Sequence, residues 1–248
     1  MPILPYGRRA PGTGRGFRGC GSGQFPPMST PLVAVLDVDG TLVDTDYQHA
    51  LAWYRAFRSL GETFPVWRIH RLIGMGGDQL VEAIGGEELD QRIGDRARES
   101  WVEEFDALLP EVAPLPGARD LLVGLREREH RVVLASSGKP HHVDHYLDLL
   151  DARDVAEAWI TSGDVEATEP APDLLQVALR ELGEPEGARS VVVGDPVWDV
   201  EAAANAGMPA VAVRSGGAGD EELREAGAVG VFDTPGELLA GLGGTPLA

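Results

Sequence analysis

Short apolar runs that end in a small or acidic residue, each followed by a stretch with helical periodicity, repeat along the chain from residue 31 onward. This alternation is the pattern of βα units, and runs rich in Val, Ile, Leu and Ala are typical of a parallel sheet that helices cover on both faces. The pattern therefore predicts an α/β fold. The predicted strands span residues 32–37, 131–136, 158–161, 190–194 and 210–213.

The segment between the first two predicted strands is too long for a single crossover. It holds about ninety residues, several times what one crossover helix requires. Apolar residues recur in it at spacings of three and four, which indicates helices with one buried face and no strand; in the first helix these residues are Ala50, Trp53, Tyr54 and Phe57. The predicted helices span residues 47–60, 67–73, 77–84 and 87–109.

These patterns divide the chain into three parts. We expect residues 46–113 to form an inserted α-helical cap, and residues 31–45 together with 114–248 to form the α/β core. Residues 1–30 contain four Arg, no acidic residue and many Gly and Pro, so their apolar surface is too small to offset chain entropy, and we predict a disordered extension. Residues 1–27 are interpreted as an over-called translation start, with a flexible arm as the alternative.

Composition and charge narrow the class of protein. The chain has 248 residues, of which 43% are hydrophobic, so it can bury a sizeable core. No apolar run reaches the roughly 18 residues that span a bilayer, which argues against a membrane protein. The formal net charge of -19 repels phosphate backbones and disfavours a nucleic-acid partner. A single cysteine, Cys20, forms no intramolecular disulfide, and we expect a cytoplasmic location.

The first predicted strand leads into the acidic segment DVDGTLVD at residues 37–44. Ligands of an open parallel sheet collect at the carboxyl ends of its strands, so Asp37 and Asp39 are placed at a candidate site. Two carboxylates two residues apart, followed by Gly-Thr, suit a site in which one is a nucleophile and metal ligand while the other shuttles a proton. An Asx-type turn after the strand is the alternative.

A second pair of acids follows the predicted strand 190–194. Asp195 comes directly after it, and Asp199 lies about one helical turn further on, in a helix that begins near Pro196. Clustered carboxylates repel one another unless a cation neutralises them, and an oxygen-only ligand set favours Mg²⁺. The sequence thus predicts a divalent metal site with Mg²⁺ as cofactor. The alternative for Asp199 is a first-turn acid stabilised by the helix dipole.

The second predicted strand ends in small hydroxyl residues, Ser136 and Ser137, followed by Gly138 and Lys139. The Ser136 hydroxyl and the amides after it are suited to holding phosphate oxygens. The same Ser-Ser-Gly run is equally suited to capping a helix N-terminus.

The three segments together resemble the haloacid dehalogenase superfamily of aspartyl-phosphate phosphohydrolases, over about residues 31–240. Segment 37–44 resembles the first motif of that family, Ser136 its second, and Asp195 with Asp199 its fourth. The helical insertion resembles the small α-helical cap of the subgroup that contains phosphoglycolate phosphatases and β-phosphoglucomutases. The resemblance implies a Rossmann-like parallel sheet core with this cap inserted.

The resemblance also implies a role for each residue. Asp37 would be the nucleophile that forms an aspartyl-phosphate, and Asp39 would protonate the leaving alkoxide and then activate water. Mg²⁺ would be held by Asp37, the Asp39 main-chain carbonyl and Asp195, with Asp199 supporting it. The residues expected to bind the substrate or its phosphoryl group are Gly40, Thr41, Ser136, Ser137, Gly138 and Lys139, joined from the cap by His49 and Gly74.

Glu169 departs from the pattern of the family, because that subgroup has a lysine at this position. A carboxylate there reverses the local field, and one unit-charge contact at about 4 Å is worth roughly 4 kcal/mol at an effective dielectric near 20. Three interpretations stay open. Glu169 faces solvent while another cation such as Lys139, the only lysine, substitutes; or it joins the Mg²⁺ shell or recruits a second cation; or catalysis is impaired.

Four histidines have less specific interpretations. His49 is suited to orienting Asp39, with a structural role as the alternative. His141, His142 and His145 lie on one predicted helix, where we expect solvent exposure rather than a metal site.

The predicted function is Mg²⁺-dependent hydrolysis of a small phosphorylated metabolite through an aspartyl-phosphate. A cap over the site disfavours macromolecular substrates. The alternatives are a catalytically impaired binding or regulatory protein and a β-phosphoglucomutase-like phosphomutase. We expect no nucleic-acid or membrane partner, and both a monomer and a dimer stay open.

Overall fold

A six-stranded parallel sheet lies at the centre of the structure, a computed structural model that describes residues 31–185 and 187–248. The strands are Val33–Leu36 (β1), Val43–Asp44 (β2), Ala113–Pro114 (β3), Arg131–Ala135 (β4), Ala158–Ile160 (β5), Ser190–Gly194 (β6), Ala210–Val213 (β7) and Gly230–Phe232 (β8). The sheet order is β5-β4-β1-β6-β7-β8, and β2 and β3 form a separate antiparallel pair. The expected α/β class with a Rossmann-like sheet is confirmed, whereas the expectations for residues 1–30 lie outside the described residues.

The helices connect these strands and form the insertion between β2 and β3. They are Asp46–Ser59 (α1), Val66–His70 (α2), Gly77–Gly85 (α3), Glu87–Leu108 (α4), Ala118–Glu127 (α5), Pro140–Leu149 (α6), Asp173–Glu181 (α7), Val197–Asn205 (α8), Asp220–Ala226 (α9) and Pro235–Gly241 (α10). Helices α1 to α4 correspond to the four helices predicted for the insertion. In the described part of the chain, no helix has the length and apolar character needed to cross a membrane.

The structure adds three short strands that the sequence pattern did not predict. β8 has three residues, and β2 and β3 have two each, which is too short for an alternation of apolar and polar positions to be recognised. Three predicted strands also end one residue early, so that Asp37, Ser136 and Thr161 lie just beyond the sheet. The chain therefore leaves the sheet at the residues that carry the chemistry.

The central strand β1 is buried on both faces. Its four residues alternate between two apolar clusters, with Ala34 and Leu36 in one and Val33 and Val35 in the other. Strand β6 is buried throughout as well. Because helices cover both faces of these strands, their carboxyl ends are held in fixed positions.

The four inserted helices, α1 to α4, pack through aromatic side chains. Trp53 of α1 stacks on Trp101 of α4 with ring centroids 5.3 Å apart, and Phe57 and Phe105 are fully buried nearby. The buried face predicted for α1 is thus confirmed for Ala50, Trp53 and Phe57, whereas Tyr54 is only partly buried. Residues 31–248 cluster as one compact unit, so the division into core and cap stays a prediction.

The expectation of solvent exposure is wrong for His142. Its side chain is fully buried, and its Nε2 lies 2.7 Å from Asp106 Oδ1 on α4. The half-exposed His141 shares this oxygen at 2.9 Å. The physical reason is that α4 packs over the first turn of α6, where Phe105 meets the His142 ring edge to face at 4.8 Å. Burial lowers the pKa of His142, so its neutral form is favoured.

Candidate active site

Neighbouring strand ends bring the predicted residues to one edge of the sheet. Asp37 follows β1, Ser136 follows β4 and Asp195 follows β6, and β1 lies between the other two strands. The parallel register pairs Leu36 with Val193, and the Asp37 amide donates a hydrogen bond to the Val193 carbonyl at 2.9 Å. The acids therefore leave the sheet at nearly the same level.

Asp37, Asp195 and Asp199 form a group that could hold a metal ion. One carboxylate oxygen from each lies within 4.8 Å of the others, with Asp199 contributed by the first turn of α8. Thr41, predicted to contact substrate, is buried and its Oγ1 donates a hydrogen bond to Asp195 Oδ1 at 2.9 Å. Asp195 also lies against Gly216, where an added Cβ would come within 1.8 Å of Asp195 Oδ2.

Burial and mutual repulsion raise the pKa of each carboxyl in this group. Burial comes first for Asp37, and the charges of Asp199 and Asp195 add to it. Burial likewise raises the pKa of Asp195, with Asp46 contributing next, and that of Asp199, with Glu169 contributing next. Asp199 Oδ2 is buried without a hydrogen-bond partner. An oxygen-only donor set with an unpartnered carboxylate oxygen fits a hard divalent cation such as Mg²⁺.

Asp39 differs from its neighbours, because its carboxylate has hydrogen-bond donors. His49 Nε2 lies 2.9 Å from Oδ1, and the Ser136 hydroxyl donates to Oδ2 at 2.8 Å while accepting from the Gly138 amide at 2.9 Å. Burial raises the pKa of Asp39, but the hydrogen bond and charge of His49 and the hydrogen bond of Ser136 outweigh it, so that pKa is lowered. Ser136 therefore orients Asp39, and the helix-capping alternative does not hold, since α6 has no side-chain cap.

A small chamber opens above these carboxylates. The inserted helices α1 and α4 and the loop between α2 and α3 supply its apolar wall through Trp53, Trp101, Ile73 and Met75. The predicted site residues that line it are Asp37, Asp39, His49, Gly74, Ser137 and Gly138. The backbone segment predicted to bind phosphate and the candidate nucleophile therefore line the same chamber.

Lys139 does not line this chamber. It lines an adjoining cavity together with Arg98 of α4 and the acidic residues Asp78 and Glu166. The two spaces share the wall residues Gly77, Trp101 and Ser137. The only lysine of the chain is therefore beside the site rather than inside it.

Gly40 and Gly74 act through their backbones. Gly40 has φ +73°, and an added Cβ would lie 2.4 Å from Asp46 Oδ1. Gly74 has φ +88°, and an added Cβ would lie 2.4 Å from Pro196 Cγ of the core. Both positions need glycine because the conformation is left-handed and the space is already filled.

Glu169 is buried inside the molecule, with 4% of its surface exposed. The solvent-facing interpretation is therefore wrong. Its loop is held from the cap, since Gln79 Nε2 donates to the carbonyls of Thr168 at 2.6 Å and Glu169 at 3.1 Å, and Asp78 accepts from the Thr168 hydroxyl. Burial, followed by the charge of Asp78, raises the pKa of Glu169 to about 8.

Sequence reasoning missed Asp46, a buried residue whose carboxyl is the sixth at this edge. Its carboxylate lies beside Asp195 between Gly40 and Gly216, and burial followed by the charge of Asp39 raises its pKa to about 7. The signal available was its position two residues after the acidic segment, at the start of α1. The cap residues Asp78 and Gln79 had no sequence signal, because their partners are about 90 residues away.

The fold and the site define a class of protein: an α/β protein whose carboxylate-rich site lies at the carboxyl edge of a parallel sheet, beside the inserted helices. The family model of the haloacid dehalogenase-like hydrolases matches residues 32–207, which is more than half of the chain. The chain belongs to this family, and the expected family and enzyme class are confirmed.

Individual relatives agree with the family match. A phosphoglycolate phosphatase of Caulobacter vibrioides is 30% identical over 73% of this chain and 78% of that protein. A phosphoglycolate phosphatase of Colwellia psychrerythraea is 27% identical over 85% of this chain and 96% of that protein. The crystal structure of a hydrolase from Pseudomonas syringae superimposes with a TM-score of 0.81 at 31% identity, covering 86% of this chain and 98% of that one.

Proposed function

We propose that the protein hydrolyses a small-molecule phosphate monoester with the help of Mg²⁺, through an aspartyl-phosphate on Asp37. The observation that carries the proposal is that Asp37 and Asp39 line one chamber and differ in their contacts. The Asp39 carboxylate is held by His49 and by the Ser136 hydroxyl. The phosphatase names of the relatives support this class of reaction.

The two aspartates divide the chemistry. An Asp37 carboxylate oxygen attacks phosphorus, and the phosphorus–oxygen bond to the leaving alkoxide breaks. For this step Asp39 must be in its protonated form, and it delivers that proton to the alkoxide while His49 Nε2, 2.9 Å from its Oδ1, fixes the position of the carboxyl group. Asp39 then takes a proton from the water that attacks the aspartyl-phosphate, which releases phosphate and restores Asp37.

Asp37, Asp195 and Asp199 would hold the metal, with the Asp39 carbonyl as the fourth group that the family resemblance implies. Bound Mg²⁺ neutralises charge on the phosphoryl oxygens and lets an anionic nucleophile approach an anionic ester. Thr41 fixes the orientation of Asp195 through its hydrogen bond.

The walls of the chamber bear on the size of the substrate. Trp53 and Trp101 bound it from the inserted helices, which favours a small phosphorylated metabolite over a macromolecule. A net charge of -19 disfavours nucleic acid, and a small-metabolite substrate agrees with the proposed cytoplasmic location.

Phosphate release tests the proposal. We expect the purified chain to release p-nitrophenol from its phosphate ester with Mg²⁺ present and to stop when EDTA removes the metal. Product analysis on a hexose 1-phosphate should show free phosphate and no hexose 6-phosphate. Isomerised sugar would favour the phosphomutase alternative, and no turnover of a panel of small phosphate esters would contradict the proposal.

Replacing Gly216 with alanine should weaken Mg²⁺ binding by about tenfold or more, a size typical of losing a group that orients a ligand. The new Cβ would come within 1.8 Å of Asp195 Oδ2 and 2.3 Å of Asp46 Oδ2, so the Asp195 carboxylate must move. Gly219→Ala is the matched control, because its nearest neighbour is Glu222 at 3.9 Å. Calorimetric titration with Mg²⁺ measures both, and equal affinities in the two variants would contradict the prediction.

A further inference from the structure

Two consecutive histidines and an aspartate bring three donor atoms together outside the candidate active site. His141 Nε2 and His142 Nε2 lie 2.9 Å and 2.7 Å from the same oxygen, Asp106 Oδ1. One donor atom from each residue lies within 4.8 Å of the others, and the group shares no residue with the carboxylates assigned to Mg²⁺. It is therefore a separate candidate for a metal site.

The three donors come from two helices that are distant in sequence. Pro140 occupies the first position of α6, so His141 and His142 lie in the first turn of that helix, and their ring centroids are 4.0 Å apart. Asp106 lies near the carboxyl end of α4. The group therefore joins an inserted helix to a helix that follows β4.

Packing fixes the direction of the His142 ring. Its side chain is fully buried, and Phe105 and Trp101 meet the ring edge to face with centroids at 4.8 Å and 6.0 Å. The side chains of His141 and Asp106 are 54% and 46% exposed. One donor is thus held in position, while the other two are open to solvent and free to adjust around an ion.

The distances in the group are close to those between ligands of one metal ion. Zn²⁺ binds imidazole nitrogen and carboxylate oxygen at about 2.0–2.1 Å in a tetrahedral arrangement, which separates neighbouring ligands by roughly 3.3 Å. The two nitrogen–oxygen distances, 2.9 Å and 2.7 Å, are shorter than this by about half an ångström. A small rotation of the exposed Asp106 and His141 side chains supplies that difference.

We propose that Asp106, His141 and His142 bind a Zn²⁺ ion, with a water molecule from the exposed side as the fourth ligand. Imidazole nitrogens suit Zn²⁺, whereas Mg²⁺ is bound through oxygen. The proposal goes beyond the proposed phosphatase function and does not depend on it. It also replaces the expectation from the sequence that these histidines hold no metal.

The bound ion would link α4 to α6 beside the chamber. Phe105 precedes Asp106 in α4 and stacks on His49 with ring centroids 3.8 Å apart, and Trp101 of the same helix lines the chamber. The ion would therefore stabilise the position of a helix that borders the site, without contributing a group to the chemistry.

Zinc titration tests the proposal. The chain is purified without a polyhistidine tag, and calorimetry follows binding of Zn²⁺ in the presence of excess Mg²⁺. We expect the native chain to bind one Zn²⁺ that His141→Gln and Asp106→Asn bind at least about tenfold more weakly, the lower limit for losing a group that merely orients a ligand. His145→Gln, on the same helix but outside the group, should match the native chain.

Thermal unfolding gives a second measurement. At a hundredfold excess over its Kd, Zn²⁺ should raise the unfolding midpoint of the native chain by roughly 5–10 °C and that of His141→Gln by less. Circular dichroism establishes that each variant folds, which we expect because both replaced side chains are half-exposed.

No Zn²⁺ binding by the native chain, or equal binding by the native chain and His141→Gln, would overturn the site and leave Asp106 with hydrogen bonds only. Phosphate release with Mg²⁺ is measured separately, so failure of the zinc site leaves the proposed function standing. Conversely, a chain that binds Zn²⁺ through His141 but releases no phosphate would keep the zinc site and lose the phosphatase proposal.

Discussion

Replacing Asp37 with asparagine is expected to lower kcat for phosphate-ester hydrolysis by at least ~1000-fold, because the amide cannot attack phosphorus. Asp37 lies in the chamber beside Asp39, and the described lining includes no Ser, Cys or Lys nucleophile other than Ser137. Asparagine matches aspartate in size, and the substitution removes one charge from a mutually repelling group, so the fold should persist.

The matched control is Asp44→Asn, an exposed acid in β2 seven positions after Asp37, which should keep native activity. Steady-state phosphate release gives kcat, and acid quenching with a labelled ester shows whether phosphoryl remains attached to protein. A label in the native chain that is missing from Asp37→Asn supports the aspartyl-phosphate. Turnover by Asp37→Asn above a tenth of the native rate would rule out its role as nucleophile.

The sheet and the site residues that directly follow its strands were predictable because both depend on local sequence patterns. Apolar runs marked five of the six sheet strands, and the residues after three of them are Asp37, Ser136 and Asp195. Parallel strands align their carboxyl ends, so strand assignment alone placed these side chains at one edge. The three-residue strand β8 was missed, since its half-buried residues carry no alternation.

The rest of the site depends on contacts between distant segments. His142 is buried because α4 of the insertion covers α6, and a pattern read along α6 does not show that cover. Glu169 is buried because Gln79, 90 positions earlier, holds its loop. Charged residues are mostly exposed in proteins, so the burial of Glu169 in a Pro-rich segment cannot be predicted without knowing that α3 packs against this segment.

The environment of Glu169, at the position where the family resemblance implies a lysine, also could not be predicted from the sequence. The sequence marks Glu169 as a reversal of charge, but only the structure shows that the reversed charge is buried and that Lys139 lies in the adjoining cavity. The sequence therefore identifies the change of charge at residue 169, whereas its burial depends on tertiary packing that the sequence pattern does not show.

The metal-free protein is expected to lose stability as pH rises from about 5 to about 8. Glu169 has a folded-state pKa of about 8 and an ordinary value of 4.5, and Asp46 has about 7 against 3.8. Between these limits the folded state binds more protons than the unfolded state, so the free energy of unfolding falls with increasing pH. The stabilisation is fully present below about pH 4 and is lost as pH passes the folded-state values.

Added Mg²⁺ should reverse this loss, because the cation replaces the protons that the carboxyls give up. At pH 8 and a hundredfold excess over its Kd, Mg²⁺ contributes about 2.7 kcal/mol, which corresponds to a rise of roughly 5–10 °C in the unfolding midpoint. At pH 5 protons compete for the same oxygens, and the rise should be smaller.

Thermal unfolding with EDTA or Mg²⁺ across this pH range measures both effects. Glu169→Gln isolates one contribution: without metal its midpoint should fall less between pH 5 and 8 than that of the native chain, since one titrating group is gone. Histidines such as His142, whose pKa is lowered by burial, stabilise in the opposite direction, and comparison of the two chains cancels them. Identical pH dependence in both chains would show that Glu169 does not titrate in the folded protein with a raised pKa, which would contradict the prediction.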